Sequence, residues 1–135
     1  MRAVPGPGAR AAIEAALGEA ALRRAEYMWP WENEPASAAG GILDDETYDW
    51  LAVVRAMLLS GGYPVVAPER VVLAAEDLAH ATGIDADATG TAGLAGLLTD
   101  LGLGRRPPPG ARVVLLFTGA GRPAGGSSAP STTGS

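Results

Sequence analysis

Between Asp87 and Leu98 the chain reads Asp-Ala-Thr-Gly-Thr-Ala-Gly-Leu-Ala-Gly-Leu-Leu, and its glycines at 90, 93 and 96 constrain whatever packs against it. Asp87 or Thr89 offers a side-chain oxygen suited to a helix start, where it accepts from the first free N–H groups. The apolar pattern then predicts a helix to about Leu101. The i, i+3, i+6 spacing aligns three residues without side chains on one stripe, so backbone, strand or ligand can approach closely. Helix-to-sheet packing is the plain structural reading. Free N–H donors beside two threonines also suit an anion or a cofactor.

The run Val113-Val-Leu-Leu-Phe117 follows the turn Pro109-Gly110 and is uninterrupted by charge. Five consecutive apolar residues predict a strand covered on both faces, as in parallel sheets. Such strands present ligand contacts at their carboxyl ends, here Thr118 and Gly119. Tyr63-Pro-Val-Val-Ala67 is long enough for one further short strand, with Pro64 near its start.

Helices are expected on either side. Ile13, Leu17, Ala20 and Ala21 recur at helical spacing between Ala9 and Ala25, with Glu14, Arg23 and Arg24 facing water. Asp44-Asp-Glu-Thr47 heads a second helix, about Glu46 to Leu59, that Ser60-Gly61-Gly62 ends. Its apolar residues fall on two sides, Tyr48, Leu51, Ala52 and Leu59 against Trp50, Val54 and Met57, which predicts burial between elements. Arg55 on that surface is expected to pair with Asp49 or Asp45. A third helix starts with Pro68 at its first position and Glu69 in its first turn, buries Val71, Ala75, Leu78 and Ala79, and stops at Gly83. Thr82 is expected to bond back to the Leu78 carbonyl. His80 lies off the stripe, as a solvated helix histidine does.

Between the first two helices, Tyr27, Trp29 and Trp31 crowd into a segment broken by Pro30 and Pro35. Such aromatics pin a loop over the core or line a pocket, and nothing reactive here favours the pocket. Glu32 and Glu34 read as solvated charges.

With 135 residues, 47% of them hydrophobic, there is material for one modest core. Residues 1–8 have linker composition and 123–135 a Gly, Ser and Pro-rich one that predicts disorder, leaving 9–122 as the structured part. A net charge of −5 without a basic patch argues against nucleic acid and an anionic membrane as partners. No apolar run is long enough to span a membrane and no signal-peptide pattern opens the chain, so a cytoplasmic location is expected. Cysteine is absent and His80 stands alone, which removes disulfides, a cysteine nucleophile and the usual zinc ligand sets. All ten basic residues are arginine, so no lysine amine is available for covalent chemistry.

Taken in order, the Pro-x-Ser-x-Ala-like loop at 35–39, a long helix ending Ser60-Gly61-Gly62, a short Val-Val strand, a helix, Gly83-Ile84-Asp85, the small-residue helix Thr89-Gly-Thr-Ala-Gly-Leu-Ala-Gly-Leu and a strand closing with Thr118-Gly119 resemble a known arrangement. This is similar to the C-terminal part of fold-type II pyridoxal-phosphate enzymes, most of all threonine synthase and its close relatives, over residues 9–122. The resemblance implies an α/β fold: an incomplete three-layer αβα unit with few strands, the C-terminal part of the tryptophan-synthase-β-like fold. It implies pyridoxal 5'-phosphate as cofactor, with the Thr118 hydroxyl bonded to the pyridine nitrogen and Gly119 turning beneath the ring. Thr118 is then expected at a strand end facing a cavity. Thr89, Gly90 and Thr91 match the segment bordering the active site.

A neutral hydroxyl partner moderates the ring's electron withdrawal, which suits elimination or replacement on an activated amino acid. The family's cofactor-linking lysine, substrate-carboxylate loop and phosphate-binding loop lie in its earlier portion and have no counterpart here. The chain is therefore expected to be inactive alone, with the missing N-terminal portion or a homo-oligomer as partner and a small amino acid as substrate of the complete enzyme. A different class of reading is a stand-alone, non-catalytic scaffold that binds a partner or itself through exposed apolar faces. A small-ligand module holding an anion at the Gly90 helix start is a third.

Overall fold

The computed structural model describes residues 4–44 and 47–119, and its regular structure is helical. Five α-helices follow one another: α1 Pro7–Leu22, α2 Arg24–Tyr27, α3 Trp50–Ser60, α4 Glu69–Ala81 and α5 Ala92–Gly102, with a 3-10 turn at Gly40–Ile42. None is long and apolar enough to cross a membrane. The expected tail at 123–135, and Asp45 as a partner for Arg55, lie outside the described residues.

Helix α1 packs on α3 and α4 on α5. Pro7 occupies the first turn of α1, where its missing N–H costs nothing, and Leu17 and Ala20 are its buried residues. Arg55 of α3 does not pair within its own helix. It reaches Glu14 of α1, with Nε at 2.8 Å and Nη2 at 2.6 Å from Oε1, and so ties the two helices together. A lone guanidinium among apolar groups finds its carboxylate on the helix it faces.

The second pair builds the core. Ala39, Val72, Ala75, Ala88 and Ala95 form its buried cluster, with Ala67, Val71, Leu94 and Leu98 packed around it. Alanines at the contact let the two helices and the 39 and 88 loops approach closely. The buried stripe of α4 is Val72, Ala75 and Ala79, one residue on from the expected Val71, and Leu78 is exposed. Pro68 caps α4 from extended backbone, Glu69 opens the helix, and Thr82 donates to the Ala79 carbonyl at 2.8 Å instead of that of Leu78. His80 is exposed, as its place off the stripe requires. Gly61 adopts the left-handed conformation (φ 73°) that ends α3 as expected.

Three expectations are corrected. No residue of α3 is buried: α1 covers one side, while Val53 and Leu58 stay exposed on a helix expected to sit between elements. Tyr27, Trp29 and Trp31 are exposed, so the aromatic segment does not close over the core. Among the described residues there is no strand, so the α/β layering is not formed here, and the segment expected to be covered on both faces is open on one.

That segment nevertheless keeps the alternation of a strand. Leu115, Phe117 and Gly119 are half-buried, whereas Val114 at 80% and Leu116 at 74% exposure point away. The 63–67 segment behaves alike: Val65 and Ala67 are half-buried around Val66, 92% exposed. A period of two is the signature of extended chain. What is missing is the ladder, because two short segments do not form a sheet that stands alone.

Candidate functional site

The turn at 87–91 is where distant parts of the chain converge. The Asp87 carboxylate accepts from the Gly90 N–H at 2.7 Å, and the Asp87 carbonyl accepts from the Thr91 N–H at 2.9 Å, closing one turn ahead of α5. The helix itself starts later than expected: Thr91 is its N-cap without a side-chain cap bond, so Asp87 closes the preceding turn and neither Asp87 nor Thr89 caps α5. Thr91 is fully buried, and its hydroxyl is satisfied by the Asp87 carbonyl at 3.1 Å. Thr89 faces the other way, accepting from the Gly41 N–H at 3.0 Å across 48 residues.

The glycine stripe receives the two extended segments. A Cβ placed on Gly90 would stand 2.5 Å from the Gly119 nitrogen and 2.6 Å from its oxygen, so only glycine admits this backbone crossing. At Gly93 the nearest atom to such a Cβ is the Leu116 carbonyl oxygen at 3.9 Å, and at Gly96 it is Val65 Cβ at 3.8 Å. Gly119 in turn lies against the Asp87 carboxylate. Residues about 30 apart in sequence, Gly90 and Gly119, therefore share one contact.

The sequence-predicted site residues divide by what their side chains do. Thr89 and Thr91 spend their hydroxyls inside the fold, on Gly41 and on the turn itself. Thr118 is exposed beside this junction, at the end of an unpaired segment and not at a strand end facing a cavity. An anion has little to gain here: the Gly90 N–H is already donated, and a carboxylate occupies the turn.

Contacts that sequence reasoning did not assign complete the surroundings. Glu69, expected only as a first-turn acid, accepts from the Ser37 hydroxyl at 2.8 Å and the Ala38 N–H at 2.6 Å. These bonds, the backbone one foremost, hold its carboxyl below the ordinary value of 4.5. They fix the 37–39 loop so that Ala39 plugs the core and Gly41 reaches Thr89. The Pro-x-Ser-x-Ala spelling and the doublet Gly40-Gly41 were the available signals.

At the far end of α5, the Tyr63 hydroxyl donates to the Asp100 carboxylate, and Arg105 lies 3.0 Å from Asp100 Oδ1 and 5.6 Å from the Tyr63 ring centre. The Arg105 contact is an ion pair without hydrogen-bond geometry, since that oxygen has no hydrogen-bond donor. The hydrogen bond that the neutral phenol donates to Asp100, with partial desolvation and that carboxylate's charge, holds Tyr63 above its ordinary value. This cluster anchors the 63–67 segment to α5.

The chain matches no family model, no curated protein and no solved structure among known proteins. Among the described residues no group of three or more His, Cys, Asp or Glu is placed to hold a metal ion. An open depression lined by Trp31, Glu34, Leu43 and Asp44 involves none of the predicted site residues.

Proposed function

We propose that this chain is the C-terminal portion of a pyridoxal-phosphate-dependent enzyme of the threonine synthase type, acting by elimination or replacement on an activated amino acid. The supporting observation is the crossing of Gly119 over Gly90, which joins the two segments that the resemblance assigns to the cofactor's surroundings. The donor set fits one part of what the cofactor needs. Thr118 is an exposed neutral hydroxyl next to that crossing, able to donate to a ring nitrogen, while no lysine exists for covalent attachment. When bound, the cofactor supplies an electron sink for the amino acid's carbanion. The chain's own part is to offer the Thr118 hydroxyl at one edge of the ring and to hold it there through Gly119, Gly90 and Asp87.

Because the lysine must come from elsewhere, the chain alone is inactive in this reading. Mixing it with a separately produced lysine-bearing N-terminal portion of a threonine synthase is expected to yield cofactor-dependent turnover that Thr118→Val lowers by about 10-fold or more. Turnover that never appears, or that Thr118→Val leaves unchanged, contradicts the proposal.

A second reading is favoured by a different observation, the outward exposure of Val66, Val114 and Leu116: a non-catalytic scaffold that engages a partner or a second copy. A sharp, monomeric, cooperative unfolding transition without cofactor supports a self-sufficient scaffold over a fragment.

A further inference from the structure

We infer that this chain pairs with a second copy of itself along the edge of residues 112–118, in antiparallel orientation about Leu115. The inference stands apart from the cofactor reading. It starts from the backbone: among the described residues none of the N–H or carbonyl groups of 112–119 makes a backbone hydrogen bond. The alternating burial of the segment shows that its chain is already pleated like a strand, with Leu115 and Phe117 turned in and Val114 and Leu116 turned out. An unpaired, pleated edge is a template for another strand, and natural proteins blunt such edges with charge or proline. Val113 to Phe117 contains neither.

Charge chooses the occupant and its direction. The run is flanked by Arg112 at its start and, at its end, by the Asp87 carboxylate lying against Gly119. In antiparallel register about Leu115, Arg112 of one copy falls opposite Thr118 of the other, next to that copy's Asp87, twice over by symmetry. Parallel pairing instead sets Arg112 beside Arg112 and Asp87 beside Asp87. Val114 then faces Leu116 across the pair, and Val113 faces Phe117, so within 113–117 each cross-strand contact joins two apolar side chains. The contact is isologous and closes on itself as a dimer.

Sedimentation velocity of the full chain across a range of concentrations tests this, with amide I infrared absorption recorded in parallel. A reversible dimer is expected, with β-type absorption that grows with the dimer fraction. Val114→Pro removes one N–H from the edge and is expected to weaken the dimer more than tenfold. Arg112→Glu is expected to weaken it roughly three- to tenfold, with the difference shrinking as salt is raised. Both positions are exposed, and unchanged helical circular dichroism confirms that each variant is folded. A strictly monomeric chain, or a dimer indifferent to both substitutions, overturns the inference; neither result bears on reconstitution with a lysine-bearing portion.

Discussion

At the scale of single residues the structure turns on Gly90 and Glu69. Gly90 has the Gly119 backbone where a methyl group would go, and backbone cannot step aside as a flexible side chain does. Gly90→Ala is expected to cost about 1–3 kcal/mol in denaturant unfolding, the range for forcing an extra carbon into a packed site. A change within error means that the crossing is not tight. Glu69 makes a pH-dependent contribution whose sign follows from its lowered pKa. A carboxyl depressed in the folded state stabilises above its unfolded value and loses that contribution as pH falls through the folded value. Stability is therefore expected to decline below about pH 4.5, and Glu69→Gln to flatten part of that decline. Equal slopes in the variant and the parent chain would show that the Ser37 and Ala38 bonds contribute nothing.

At the scale of elements, α1 and α3 depend on each other. Leu17 is one of two buried residues of α1, and Leu17→Ala is expected to destabilise by about 2–4 kcal/mol if the helix pair unfolds with the rest. A loss of α1 helicity that leaves the α4 and α5 signals intact would instead show two separate folding units. The helices were legible because their periods, prolines and glycines act locally: Pro68, Gly61 and Gly83 punctuate the chain regardless of neighbours, whereas Pro7, which composition assigns to a linker, opens α1. The glycine stripe was legible in part: its spacing permits close approach, which Gly119 makes at Gly90, while Leu116 and Val65 meet Gly93 and Gly96 only at ordinary contact distance. The strands were not realised. An apolar run such as 113–117 records the environment its sequence suits, a sheet interior, whereas its structure depends on partners supplied from outside the run. Arg55 pairs across helices for the same reason: sequence neighbours are the only partners that spacing can nominate, and Glu14 is 41 residues away.

At the scale of the whole molecule, the core is built largely of alanine, while Val66, Val114, Leu116 and Tyr48 stand in solvent. A chain with that distribution has apolar surface suited to a larger assembly, which under the proposed function is a cofactor-binding enzyme whose other portion carries the lysine. Of the candidate site, the sequence nominated Gly90 through its missing side chain, and Gly119 through its place at the end of the apolar run and through the resemblance. It did not show that Thr89 and Thr91 are used internally, because hydroxyl partners are set by the tertiary fold. The most direct measurement is the sequence of the coding DNA preceding Met1, read in all three frames. The account predicts a segment there encoding a lysine-bearing, glycine-rich cofactor domain; DNA that encodes no such segment in any frame would contradict it.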